Sequence, residues 1–174
     1  HMVSNALAAA AVGRIYGLTC EEIRAGIESL EPISGRFHMI ETPDYLIVDD
    51  CYNANPMSMK SSLTILQNGA GRRVAILGDM GELGEQELAL HAEVGKHAGT
   101  CHMEKLICVG PLSRAMAEAA RETSPELEVI HYEDLESLLE VLDTEVEKGD
   151  TILVKASHFM HFEKAVEALQ KRRN

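Results

Sequence analysis

Eight consecutive residues, Asp49-Asp50-Cys51-Tyr52-Asn53-Ala54-Asn55-Pro56, gather two carboxylates, a phenol and two amides. They follow an apolar, β-prone run (Tyr45-Leu46-Ile47-Val48) and precede a helical pattern over 57–66. The group therefore falls at the C-terminal end of a predicted strand, where open α/β sheets bind ligands. A tyrosine ring and paired amide donors and acceptors suit a nucleotide base and ribose. An Asn/Asp/Pro turn that only closes the strand uses the same residue types. Both readings stand on the residues alone.

Two further strand ends carry polar groups. Gly78-Asp79-Met80-Gly81-Glu82-Leu83-Gly84 follows Val74-Ala75-Ile76-Leu77 and opens a helix. Its G-x-x-G-x-x-G spacing is neither the dinucleotide fingerprint nor the Walker loop. Asp79 and Glu82 would repel a phosphate by about 1–4 kcal/mol at a few ångströms. The loop fits an ammonium group or a metal-bound water, or else a tight turn with a helix start that favours negative charge. Lys155-Ala156-Ser157-His158 ends the last predicted strand. Convergence of these three ends predicts a cleft. The histidines, including His91, His97 and His102, show no zinc spacing and read as incidental surface residues.

The elements that must position these groups follow from periodicity. Strands are predicted at 36–41, 45–49, 74–77, 105–109, 128–132 and 151–154, and helices at 57–67, 85–98, 112–122, 133–147 and 160–172. Short apolar strands alternating with helices of this length indicate βαβ units and a largely parallel sheet, an α/β, Rossmann-like three-layer domain. Thr42-Pro43-Asp44 turns the first strand pair into a hairpin. Ahead of this lie two predicted helices: an alanine-rich stretch over 5–16 stopped by Gly17, and a second capped by Thr19 with Glu22 at the capping-box position. In the second, Ile23, Ile27 and Leu30 form a one-sided stripe. Residues 31–35 read as a linker, and His1-Met2 as a cloning remnant.

With 174 residues, 45% of them hydrophobic, the chain can bury a full core without disulfides or metal. Sixteen basic against 28 acidic residues give −12, which argues against nucleic acid and anionic membranes as partners. Four cysteines without C-x-x-C spacing read as reduced thiols. No apolar run reaches the ~18 residues of a membrane span, and no signal peptide is read. A cytoplasmic monomer is expected.

Taken in order, D-D-C-Y-N-A-N-P, G-D-M-G-E-L-G and V-K-A-S-H resemble the C-terminal domain of the Mur ligase family. The opening S-N-A-L-A-A-A-A resembles the helix that closes that family's central ATP-binding domain. The resemblance implies three parts: the remnant at 1–2, helices of the central domain at 3–31, and the C-terminal Rossmann-like domain at 32–174. It implies an ATP-dependent amide-bond ligase of peptidoglycan precursor synthesis that joins D-alanyl-D-alanine to UDP-MurNAc-tripeptide through an acyl phosphate. This segment alone is expected to be inactive, because ATP and Mg bind mainly to the central domain and the chain has no G-K-[ST].

Residue by residue, the resemblance assigns Arg36 to the γ-phosphate as the catalytic residue. It assigns Asp50, Tyr52, Asn53 and Asn55 to a loop that contacts the nucleotide and orients the arginine, and Asn5 to the adenine. Asp79, Glu82, Lys155, Ser157 and His158 fall on the dipeptide side; no residue is assigned to metal. The last motif departs from the K-G-S-R usual in the family's D-alanyl-D-alanine-adding member: Ala156 loses glycine's access to positive φ, and His158 loses a permanent charge. Competing readings are another member of the same superfamily, or a non-catalytic Rossmann-like module that binds a nucleotide or a partner.

Overall fold

A computed structural model describes residues 2–30 and 34–171 of the chain. Position 1 of the predicted remnant, residues 31–33 of the predicted linker and residue 172 of the last predicted helix lie outside them. The chain divides into two compact units, His1–Pro32 and Ile33–Asn174.

The first unit holds helices α1 (Met2–Ile15) and α2 (Cys20–Glu28). Gly17 takes φ +82 after α1, the left-handed stop that glycine supplies. The Thr19–Glu22 capping box forms as expected: the Glu22 amide donates to Thr19 Oγ1 at 3.2 Å and the Thr19 amide to Glu22 Oε2 at 2.8 Å. Ile23 and Ile27 are half-buried while Leu30 is exposed, so the predicted stripe is only partly covered within this unit.

The second unit is a six-stranded sheet in the order β1-β2-β6-β3-β4-β5. Its strands are β1 (His38–Glu41), β2 (Leu46–Asp49), β3 (Arg73–Gly78), β4 (Lys105–Val109), β5 (Glu128–Tyr132) and β6 (Thr151–Lys155). β1 and β2 form the antiparallel hairpin, His38 opposite Asp49, and every other pairing is parallel. Thr42 Oγ1 accepts the Tyr45 amide at 2.8 Å and so closes the hairpin turn. β1 begins two residues later than the sequence predicts. Gly35 and Phe37 take φ +76 and +53, and this left-handed bend cannot join a strand.

Strand side chains alternate between two helical layers, the period of two that a strand imposes. Ala75, Leu77 and Leu153 pack against α3 (Pro56–Leu66), α4 (Glu87–Thr100) and α5 (Ser113–Thr123). Val74, Ile76, Ile152 and Val154 pack against α6 (Leu135–Glu145) and α7 (Glu163–Lys171). Met59 and Leu63 are fully buried in the first layer, each contributing about 1.5–3 kcal/mol. Met57, in the first turn of α3, is 78% exposed.

This topology positions a site. The chain leaves β2 and β3 toward one layer and leaves β6, which lies between them, toward the other. Connections that diverge to opposite faces open a crevice beyond the C-terminal strand ends.

Candidate functional site

At the end of β2 the two aspartates bind protein, not solvent. Asp49 Oδ2 accepts the Gly35 amide at 2.8 Å and Ser34 Oγ at 3.1 Å, and its Oδ1 accepts the Cys51 thiol at 2.9 Å. Burial, with that hydrogen bond added, pushes the Cys51 thiol far up from its ordinary range. Asp50 Oδ1 accepts the Phe37 amide at 3.1 Å, while its Oδ2 accepts Ser62 Oγ at 2.7 Å and pairs with Lys155 Nζ at 2.7 Å. The adjacent carboxylates thus tie the Gly35-Arg36 turn onto the strand end. Glycine suits this position, because φ is +76 and a Cβ would sit 3.1 Å from the Tyr52 backbone nitrogen.

The outcome is the pose of Arg36. Its guanidinium carbon stands 4.1 Å from the centre of the Tyr52 ring, and no ion pair engages it among the described residues. On its side of the cleft Tyr52 also meets His158, the ring centres 5.8 Å apart and tilted by 39°. A cation on an exposed aromatic face gains about 0.5–1 kcal/mol, enough to bias a long side chain toward one direction.

Asn53 Oδ1 accepts the Ala54 amide at 2.8 Å. Asn55 caps α3: its Oδ1 accepts the Ser58 amide at 2.9 Å, with Pro56 at the first helical position. The turn and the ligand loop are therefore one object, and the two readings left open by the residues coexist.

At the end of β3, Asp79 is 3% exposed, and its carboxylate accepts the Ser113 and Leu112 amides at 2.7 and 3.3 Å, capping the start of α5 from outside the helix. It faces α5 rather than the open side of the loop. Met80 donates its amide to His91 Nε2 at 2.9 Å, and Gly81 donates to Ser157 Oγ at 2.9 Å. Glu82 is exposed at φ +62, a conformation uncommon outside glycine, and it has no hydrogen-bond or ionic partner among the described residues.

The end of β6 joins the other two. Lys155, 2% exposed, donates to Asn53 O at 3.0 Å in addition to its pair with Asp50. Ser157 donates its amide to Asp79 O at 3.1 Å and its hydroxyl to Ala54 O at 3.4 Å. Ala156 does not need positive φ; among the described non-glycine residues that conformation occurs at Phe37, Glu82 and His161. Its methyl lies where a Cβ on Gly78 would come within 2.7 Å, so alanine at one strand end is accommodated by glycine at the other.

Above these contacts lies a cleft of about 370 Å³, lined by Tyr52 and Asn53, by Gly81 and Glu82, and by Ser157, His158 and Phe159. Of the residues predicted for the site, Tyr52, Asn53, Glu82, Ser157 and His158 line it. Arg36 stands against Tyr52, and Asp50, Asn55, Asp79 and Lys155 lie in the supporting layer. Asn5 lies on α1 in the first unit and is exposed. Sequence reasoning missed Ser62, Phe159 and His91. His91 corrects the surface assignment: it is 0% exposed. Its signal was position, one turn into the helix that follows the glycine loop. Among the described residues no group of three or more His, Cys, Asp and Glu could hold a metal ion, and no helix is long and apolar enough to cross a membrane.

Comparison with known proteins agrees with this fold. The family described as "Mur ligase, glutamate ligase domain" matches residues 35–158. A UDP-N-acetylmuramoyl-tripeptide–D-alanyl-D-alanine ligase of Bacillus subtilis is 35% identical over 97% of this chain and 38% of its own length. A solved D-alanyl-D-alanyl ligase of Acinetobacter baumannii superposes with a TM-score of 0.86 at 28% identity, over 99% of this chain and 37% of that one. A MurF ligase of Thermotoga maritima, solved in complex with ADP, superposes at 0.75 with 30% identity, over 92% of this chain and 36% of that one. The chain thus spans little more than a third of the length of the relatives it matches.

Proposed function

Because this chain belongs to the Mur ligase family, we propose that it forms the C-terminal part of an ATP-dependent ligase that adds D-alanyl-D-alanine to UDP-MurNAc-tripeptide in peptidoglycan precursor synthesis. The observation that carries the proposal is the convergence of D-D-C-Y-N-A-N-P, G-D-M-G-E-L-G and K-A-S-H on one cleft at the switch point of the sheet. ATP supplies the phosphoryl group that turns the tripeptide carboxylate into an acyl phosphate. The dipeptide ammonium gives up a proton to solvent, and its free amine attacks that carbonyl. The amide bond forms as the acyl C–O bond breaks, and phosphate leaves with the amine's second proton passing to phosphate or solvent.

Little covalent chemistry falls to the protein in such a reaction, so catalysis rests on positioning and charge neutralisation. Arg36, aimed by Tyr52 and by the Asp49–Gly35 bond, neutralises charge on the transferring phosphoryl group. Tyr52 and Asn53 contact the nucleotide, while Asp50 and Asn55 hold their loop in shape. Asn5 is a nucleotide contact by resemblance alone.

On the dipeptide side Glu82 is the loop carboxylate left without a protein partner, and it receives the ammonium. Asp79 acts through α5 and the loop backbone. Lys155 and Ser157 hold the three strand ends together, with His158 presented at the cleft. The helices of 3–31 belong to the end of the central domain, and no residue of this chain is assigned to Mg. Substrates of this kind put the proposed enzyme in the cytoplasm.

The test is ATP-dependent phosphate release by the full-length ligase that carries this segment, given UDP-MurNAc-tripeptide with either D-alanyl-D-alanine or L-glutamate. Release with the dipeptide alone supports the proposal. Release with glutamate moves the protein to a neighbouring specificity, and release with neither leaves a binding module.

A further inference from the structure

We propose that His91 is a positioning residue that locks the acidic loop beneath the cleft, an inference that rests on the ligase reading above. Both nitrogens of its ring are committed. Glu87 O can only accept, and it lies 2.7 Å from Nδ1; the Met80 amide can only donate, and it lies 2.9 Å from Nε2. The ring is therefore neutral, with its proton on Nδ1. A leucine of similar volume would fill the same fully buried space on α4 at less desolvation cost. The acceptor is what an apolar side chain could not supply.

The two residues after Met80 line the cleft. Gly81 is tied to Ser157, and Glu82 is held at φ +62. A non-glycine residue persists in that region only where its surroundings over-determine it. Before Glu82 the chain is anchored by Asp79 on the start of α5, by His91 on the Met80 amide and by Ser157 on the Gly81 amide. His91 touches neither the cleft nor a substrate. It acts through the peptide that aims Glu82.

The experiment is amide hydrogen exchange at Met80 and Gly81 in this chain, compared among the native protein, His91→Gln and His91→Leu. Glutamine can offer Oε1 where Nε2 stands; leucine cannot. The native Met80 amide should exchange slowly although it lies in a loop. His91→Gln should stay within about threefold of native, and His91→Leu should be faster by about tenfold or more, the scale of a buried donor left unpaired. Fast exchange in the native chain, or equally slow exchange in His91→Leu, overturns the lock.

In the full-length ligase, His91→Leu should raise the dipeptide KM about fivefold or more while the ATP KM stays within about twofold, with His91→Gln restoring the dipeptide KM. Equal rises in both KM values overturn the positioning role in favour of a packing defect. If the native ligase shows no dipeptide-dependent turnover while the exchange pattern holds, the ligase reading fails and the lock stands.

Discussion

At the scale of single residues the site separates side chains that face ligand from those that hold them, and variants should divide along that line. Arg36 has Tyr52 as its single described partner. Arg36→Ala in the full-length ligase should lower kcat about 10³-fold, the lower end for an arginine that neutralises a transferring phosphoryl group. Steady-state kinetics at saturating dipeptide reads this, and a loss under tenfold removes Arg36 from the chemistry. Glu82 bears backbone strain at φ +62. Glu82→Gly should raise unfolding stability by about 1 kcal/mol in urea while weakening dipeptide use; a variant both less stable and unchanged in dipeptide KM would refute both claims. Lys155 behaves oppositely, because Lys155→Met strands the Asp50 carboxylate in a buried site. The expected loss is about 3–5 kcal/mol by urea unfolding, against little for the exposed Lys164.

At the scale of elements, caps decide where the loops point. Asn55 begins α3 and thereby ends the loop that carries Tyr52 and Asn53. Asn55→Ala should cost about 1 kcal/mol with the urea m-value unchanged, since the helix start loosens while the core stays packed. The Thr19–Glu22 box, the hairpin and all six strands were legible as local patterns, because capping and strand alternation are set by neighbours in sequence. The late start of β1 was not. It comes from Asp49 and Asp50 binding the amides of Gly35 and Phe37, fourteen and thirteen residues away.

At the scale of the whole molecule, a charge network that joins Lys105 at the start of β4 to Glu128, to Glu145 at the end of α6 and to the Tyr132 hydroxyl contributes to the pH dependence of stability. Burial pushes Glu145 up, but hydrogen bonds from Lys105 and Tyr132 outweigh it and leave its carboxyl below the ordinary 4.5. That stabilisation is full above about pH 4.5 and is lost as pH falls through the lower folded value. Burial and the bond to Glu145 raise Tyr132 from 10.0 to about 12. Burial lowers Lys105, but its pairs with Glu128 and Glu145 outweigh that and leave it raised from 10.5. Stability from both is full below pH 10 and is lost as pH rises through their folded values. Thermal melts across pH should show this plateau, and Glu145→Gln should flatten its acid edge; an unchanged acid edge would place the effect elsewhere. The sequence by itself determined the fold class, the hairpin, the Thr19–Glu22 helix start and the three polar strand ends, because each follows from periodicity and short-range hydrogen bonding. Only the tertiary structure decided that β6 lies between β2 and β3, that Asp79 serves α5, and that His91 is buried beneath the loop. Those facts depend on which distant backbone groups need partners once the sheet has closed over its core.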